Sequence, residues 1–450
     1  MLEDILARKV NCVIVKDLSR FGRDYIEVGK WIQKRFLDLG IRFIAILDRY
    51  DSKTATESEN ALLLPMKNFI NDFYCRDISQ KVRSHQKIKR EKGAFIGAFA
   101  IYGYCKSKEN RNQLKKDPYA AEIVKKIYQW RISGISMFGI AKRLNQAGIL
   151  SPMEYKQLNG ENYYTGFGSR GCAKWTATAI KRILEDETYT GMLVQGKGER
   201  ISYKVRKSIP KKQEDWIRVL NCHEAIISRE EYGIVQRLLK VPIRARKDTK
   251  STFLSGLLFC ADCKKPLIRR KNCYKGQESI FYICSTKNKG LGCSRHSIKE
   301  EVLFEYIGKA EQIYFQSFGN KNNQEVKKIC YKPQAGLSDQ MLEEEFEKLK
   351  RYKESYQTLC ASLERETEKG ILTKEEAVSL FTFYKEQEKE IEEIIAKQQK
   401  KFQWDICLEE EIRRRRMSFL FKCIEVEEDG YINFILNSGE IYRLSEGEIV

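Results

Sequence analysis

The sequence predicts an α/β protein of several domains, and three observations carry the prediction. Residues 10–48 alternate strand, helix, strand; residues 251–300 hold a tightly spaced cysteine set; residues 340–402 carry two runs of apolar residues at three-and-four spacing. At 450 residues the chain exceeds what one hydrophobic core usually serves. In chain order the expected parts are a partial parallel sheet with a long connecting helix (1–92) and a mixed α/β domain (93–245). A zinc β-ribbon (246–338), an antiparallel coiled-coil hairpin (339–403) and a C-terminal helix with a β-hairpin that completes the ribbon domain (404–450) follow.

"VNCVIVK" (10–16) and "IRFIAILD" (41–48) are short β-branched runs, and Val28, Ile32, Phe36 and Leu39 between them have helical spacing. Gly40 closes that helix as a C-terminal cap. A strand, helix, strand order implies a parallel pair with a right-handed crossover. Such a sheet normally has more than two strands, and the first begins at residue 10, so part of the expected domain is missing from the sequence.

From about Ala61 to Lys92 a long helical pattern turns basic, and "GAFIGAFAIYGYC" after Lys92 reads as a linker. "SMFGIAKRLNQAG" (136–148) has a Ser start and a Gly stop, and "WTATAIKRILEDETYTG" (175–191) places Ala179, Ile180, Ile183 and Leu184 on one apolar face. Trp175 is expected in the core rather than as a stacking group. In the helical hairpin Leu342, Phe346, Leu349, Tyr356, Leu359 and Leu363 form the first seam; Ala377, Phe381, Tyr384, Ile391 and Ile395 form the second after Gly370. Thr373 with Glu376 is a capping box that starts the second helix. The tail has two alternating runs around Asp429-Gly430, a β-hairpin signal.

With 82 Lys and Arg against 62 Asp and Glu, the net charge is +20, a balance that favours a polyanionic partner. Nucleic acid is the first candidate. A spanning helix is excluded by the lack of a long apolar run, and no signal segment opens the sequence, so a cytoplasmic protein without membrane partners is expected. The 14 cysteines are scattered and mostly without tight spacing, which argues for reduced thiols and one metal site.

Cys260-x2-Cys263, then Cys284, then Cys293, suit tetrahedral structural zinc: four soft thiolates, two of them on one knuckle. Cys273 and His296 lie close enough in sequence to substitute, although the outer four already complete a shell. Arg20 and Arg23 follow a strand end and could present two guanidinium forks to one phosphate. Spacing alone favours a solvated surface pair over a phosphate clamp.

The stretch "KVRSHQKIKREK" holds Lys81, Arg83, Lys87, Lys89 and Arg90, which could track a DNA backbone. Lys142, Arg143, Lys181 and Arg182 extend the basic character, followed by Lys204, Arg206, Lys207, Lys211 and Lys212. Arg413 to Arg416 lie among acids and are read as solvated.

Taken in order, these segments resemble the large serine recombinases of the resolvase/invertase superfamily, transposon type. "VIVKDLSRFGRDYIEVG", "NDFYCRDISQKVRS", "GIAKRLNQAGILSP", "WTATAIKRILEDETYTGMLVQGK" and "FLSGLLFCADC" carry the likeness across nearly the whole chain. The resemblance implies a resolvase-like catalytic domain with its long helix, then a recombinase DNA-binding domain. It further implies a zinc ribbon bearing a coiled-coil arm. It also implies an activity: a serine hydroxyl attacks a DNA phosphodiester, and strands exchange within a tetramer assembled on double-stranded attachment sites. No ATP is needed, because the phosphoserine link stores the bond energy. Dimers and tetramers, with contacts through the coiled coil, are the implied assemblies.

Arg20 and Arg23 match the family's phosphate-stabilising arginines, with Ser19 at the position where many members have an acid. The nucleophile of the family sits in a Tyr-x-Arg-x-Ser strand, and no such segment occurs in residues 1–450. The sequence is therefore expected to be a recombinase lacking the front of its catalytic domain and unable to cleave DNA alone. The alternative is a non-catalytic DNA-binding remnant or regulatory subunit.

Overall fold

The computed structural model describes residues 4–5, 9–22, 25–55, 64–163, 174–202, 204–205, 207–240, 253–274, 277–290, 292–294, 296–317, 339–368, 373–399, 409–445 and 448–449. It divides into two compact units. The first joins residues 1–98 with 108–113 and 192–223; the second joins 99–107 with 114–191 and 224–450.

In the first unit β1 (Cys12–Val15) pairs in parallel with β2 (Arg42–Ala45), and β3 (Tyr50–Asp51) adds antiparallel to β2. The crossover is helical but not one regular helix. α1 (Leu18–Phe21) and α2 (Tyr25–Lys30) lead through a π-helical turn, Trp31–Arg35, into α3 (Phe36–Asp38). Val28, Ile32 and Phe36 are all buried, and each lies four residues after the last. That spacing drifts around a 3.6-residue helix, and the wider turn keeps the three on one face. Gly40 ends the run at φ 67°, with Ile41 N–H donating to the Phe36 carbonyl at 2.8 Å, a Schellman cap.

Phe43 and Ala45 of β2, with Val13 of β1, bury against Ile32 and Phe36. The other face of the pair carries Ile14, which is 62% exposed. Parallel sheets normally have both faces covered; among the described residues helices cover one. α4 (Leu64–Glu91) follows, and Gly93 at φ 75° ends it where a Cβ would meet Cys222 Sγ at 2.7 Å. β6 (Leu193–Gln195) pairs with β9 (Ile217–Val219), and β7 (Gly198–Arg200) with β8 (Ser208–Pro210).

The second unit opens with the hairpin of β4 (Tyr104–Lys106) and β5 (Leu114–Lys116). Its first helices begin where cap chemistry says they should. Asp117 caps α5 (Pro118–Ile132), Ser136 caps α6 (Met137–Gln146), Ser151 with Glu154 boxes α7 (Pro152–Leu158), and Thr176 caps α8 (Ala177–Glu185). α9 (Arg229–Lys240) completes the set, whose core includes Ile123, Ile127, Ile140, Leu144, Ile180, Leu184 and Val235. Trp175 is a core residue, its Nε1–H donating to the Ile149 carbonyl at 3.0 Å.

Next comes the ribbon. β10 (Leu258–Cys260) precedes the antiparallel β11 (Leu267–Tyr274), β12 (Gln277–Cys284) and β13 (Ser297–Lys299), with α10 (Ser285–Asn288) between the last two. α11 (Glu300–Ser317) packs on this sheet. α12 (Asp339–Glu368) and α13 (Lys374–Gln399) form an antiparallel helical hairpin, in which Lys353 pairs with Glu392 and Gln357 with Glu388. The Thr373–Glu376 capping box is present; Gly370 lies outside the described residues.

One expectation for the seam fails. Leu359 is exposed, and Cys360 is buried in its place, which keeps the step to Leu363 at three residues. The tail returns to the ribbon: α14 (Glu409–Leu420) leads into β14 (Phe421–Val426), which pairs in parallel with β10 and antiparallel with β15 (Ile432–Leu436) across Gly430. β16 (Ile441–Ser445) and β17 (Glu448–Ile449) extend the sheet, and one core runs from Phe253 to Leu444.

The reading of Arg413 to Arg416 as solvated holds for Arg413, which is exposed, and is overturned for Arg414 and Arg415. Arg414 is 2% exposed and Arg415 8%. Arg414 donates to the Ser255 carbonyl, and a Cβ on Gly134 (φ 90°) would lie 2.2 Å from its Nε. Burial first, then the nearby Arg131, draws Arg414 down to about 10. The acids around the run in sequence say nothing of this, because α14 is held from both sides.

Candidate functional site

The ribbon brings its four cysteines together. Cys260 ends β10 and Cys263 closes the knuckle, Lys264 turning the chain at φ 53°; Cys284 ends β12 and Cys293 follows α10. Cys260 Sγ lies 3.7 Å from Cys293 Sγ, and Cys263 Sγ 3.5 Å from Cys284 Sγ. All four sulfurs fall within 4.8 Å of one another. A tetrahedral Zn²⁺ with Zn–S of about 2.3 Å requires S–S separations of about 3.8 Å, so the donor set fits the ion.

Desolvation works against the Cys263 thiolate, but hydrogen bonds from Thr286 Oγ1, the Lys265 backbone and the neighbouring thiols outweigh it and draw the group down to about 6. Cys273, considered as a substitute ligand, is exposed on β11 and is not among the clustered donors. His296 is buried beside the cluster.

At the other end of the chain, Arg20 sits on α1 just past the carboxyl end of β1, the edge at which open α/β sheets bind ligands. Leu18 N–H donates to Asp48 Oδ2 at 2.7 Å, so the end of β2 anchors the start of α1. Arg20 is exposed, with Nε 3.9 Å from Asp17 Oδ2, too long for a strong pair and open to a competing anion. Gly22 allows the tight passage that follows: a Cβ there would meet Val28 at 2.6 Å. Arg23 and the Ser19 side chain lie outside the described residues.

Among the basic residues, Lys81, Arg83 and Lys87 are exposed on α4, with Lys89 and Arg90 half-buried near its end. Lys81 pairs with Asp77 at 2.7 Å. α6 and α8 pack together and leave Lys142, Lys181 and Arg182 exposed. Arg143 differs from them: it donates to Glu411 at 2.9 Å and lies over the Trp130 ring. Lys204 is tied to Asp72 at 3.0 Å and Lys211 to Glu199 at 2.8 Å; Arg206 lies outside the described residues. No helix among the described residues is long and apolar enough to cross a membrane.

Three family models match in order along the chain: "Resolvase, N terminal domain" over residues 1–95, "Recombinase" over 118–241 and "Recombinase zinc beta ribbon domain" over 253–310. The chain belongs to the large serine recombinases. The zinc ribbon match and the clustered sulfurs of Cys260, Cys263, Cys284 and Cys293 support a structural zinc. This recombinase is 29% identical over 206 residues to the uncharacterized protein YefB of Bacillus subtilis (strain 168). That match takes in 45% of the chain and 65% of the relative's own length. Among solved structures, "Crystal Structure of a LSR-DNA Complex" matches at 16% identity and TM-score 0.32, covering 82% of the recombinase and 99% of that chain. "Sequence Requirements of the Listeria innocua prophage attP site" matches at 19% identity and TM-score 0.28, covering 52% and 87%.

Proposed function

We propose that the protein is a site-specific DNA recombinase of the serine type, acting on double-stranded attachment sites of a mobile element in the cytoplasm. The observation that carries this reading is the order of matched regions, catalytic, recombinase and zinc ribbon, on one strongly basic chain. In this reading Arg20 and Arg23 stabilise the charge that develops on the scissile phosphate. A serine acting with them in a Tyr-x-Arg-x-Ser segment comes from outside residues 1–450, where that segment does not occur. Lys81, Arg83, Lys87, Lys89, Arg90, Lys142, Lys181 and Arg182 follow the DNA backbone. Arg143 joins them only if DNA displaces Glu411 from it.

Self-association into dimers and tetramers on DNA belongs to the same reading. α4 leaves Met66, Phe69 and Phe73 exposed at steps of three and four, and Ile70, Tyr74, Ile78 and Val82 at steps of four, a stripe that a second copy of the helix would cover. The helical hairpin supplies a further contact between subunits.

A gel shift on duplex DNA, repeated across salt concentrations, tests the binding. The expected result is a shift whose log affinity falls with log salt by about 0.9 for each phosphate neutralised. Binding that ignores salt, or that prefers RNA, would defeat the proposal. Incubation with an attachment-site duplex, followed by denaturing electrophoresis, tests the chemistry. Binding without a covalent protein–DNA band is expected of residues 1–450 alone, and it also fits a regulatory subunit. A covalent band that appears only when a Tyr-x-Arg-x-Ser segment is supplied separates the recombinase from that alternative.

A further inference from the structure

The ribbon holds a second group of side chains against the metal position. His296 is fully buried, three residues after Cys293. Its Nδ1 lies 3.8 Å from Cys293 Sγ and 3.1 Å from the Ser294 carbonyl oxygen, and its Nε2 lies 3.1 Å from Asp262 Oδ2. Asp262 directly precedes Cys263 on the knuckle and accepts from Ser294 Oγ at 3.2 Å. The His296 carbonyl accepts from the Cys284 N–H at 3.0 Å. A ring of contacts thus joins three of the ligand-bearing segments around one sulfur.

Asp262, Cys293 and His296 are close enough together to be taken for a metal site of their own. The carbonyl opposite Nδ1 argues against it. The Ser294 carbonyl oxygen 3.1 Å away suits an N–H donor at Nδ1 rather than a nitrogen turned to a metal. Four sulfurs at tetrahedral separations also leave no vacant position for a fifth donor.

We propose that His296 is a positioning residue of the zinc site: its Nδ1–H is shared between Ser294 and the Cys293 thiolate, and Asp262 sets the rotation of the ring. The inference rests on the zinc site itself and not on the recombination activity. Zn²⁺ with four thiolates carries a net charge of about −2, and each N–H donor that faces a sulfur draws off part of it. Cys293 is less buried than Cys260 or Cys284, so electrophiles and oxidants reach it more easily. His296 lowers the nucleophilicity of Cys293, which with Cys263 is one of the two ligand cysteines that are not fully buried.

The test uses the zinc-loaded full chain with His296→Leu, the donor-keeping His296→Gln, and Asp262→Ala, whose exposed site keeps the fold safe from the change. Cobalt substitution reports the ligand set, a chelating dye reports release, and limiting iodoacetamide with mass spectrometry reports which cysteine reacts. All forms should bind one metal with an all-sulfur cobalt spectrum. Release and Cys293 alkylation should quicken on the order of tenfold in His296→Leu. Asp262→Ala should show a smaller rise in the same cysteine, and His296→Gln should stay near the parent. A cobalt spectrum with a nitrogen ligand in the parent, or two metals per chain, would overturn the proposal. So would alkylation rising equally at all four cysteines, or no change in Asp262→Ala.

Discussion

Buried arginine is where this chain departs most from its own pattern. Arg414 and Arg131 are both buried, and Arg131 donates to the Leu238 carbonyl at 2.8 Å and the Ile135 carbonyl at 3.3 Å. Arg131 thus satisfies one of the last carbonyls of α9, which has no intrahelical donor left, while Ile135 and Ser255 offer carbonyls of connecting segments. The four-arginine run gave no sign of it, since a basic run on a helix is ordinarily solvent-facing and burial depends on α5 and α9, far away in sequence. The cysteines were legible for the opposite reason: a metal site needs its ligands at local spacings that the sequence displays. Gly134→Ala tests the arginine packing. The new methyl meets Arg414 and forces a residue with a Cβ to φ 90°, so the unfolding free energy should fall by about 2 kcal/mol or more. Chemical denaturation measures it. Combined with Arg414→Ala, the two losses should sum to less than their separate values, because the clash is removed.

The elements themselves were largely legible. The parallel pair, the long helix, the capped helices and the helical hairpin follow from periodicity and cap residues that act within a few positions. Two features escaped: the π-helical turn at Trp31–Arg35, which leaves no composition signal, and the exchange of Leu359 for Cys360 in the seam. The root of the hairpin carries another. Glu345 on α12 is 2% exposed among a set that includes Tyr119, Tyr155 and Asp117, with Lys348 Nζ 3.2 Å from it. Burial raises its carboxyl above the ordinary 4.5, and Lys348 only partly offsets that. A carboxyl raised in the folded state binds protons more tightly folded than unfolded. Its contribution is therefore complete below pH 4.5 and is lost as pH rises through the folded value. Glu345→Gln should flatten the pH dependence of the melting temperature above pH 4.5 and stabilise the neutral-pH form by about 1 kcal/mol. An unchanged pH profile in that variant would remove Glu345 as its source.

At the scale of the molecule, the two units are not consecutive stretches of sequence: residues 192–223 join the first 98, and the tail after Glu409 joins the ribbon. The tail was expected beside the ribbon, but the joining of residues 192–223 with the first 98 leaves no local signal, so boundaries placed at linkers did not reveal it. The return of the tail has a consequence for the metal. β10 supplies Cys260 and pairs with β14, so the zinc site and the C-terminal sheet share one core. Stripping the metal, or Cys260→Ser, should lower the melting temperature by about 10 °C or more, with the loss of tail protection in hydrogen exchange. Protection that survives in β14 and β15 would show that the sheet stands without the ion. The helical hairpin shares the same unit, and its root is gripped by both strands of chain that enter it. Glu345 is buried on one side, and Gln398 donates to the Gly148 carbonyl at 3.0 Å on the other. The shorter helix of 26 residues is about 39 Å long at 1.5 Å per residue. It works as a lever with a short fulcrum: a turn of one-tenth of a radian at Glu345 and Gly148 carries the far tip through about 4 Å, about three-quarters of a helical turn.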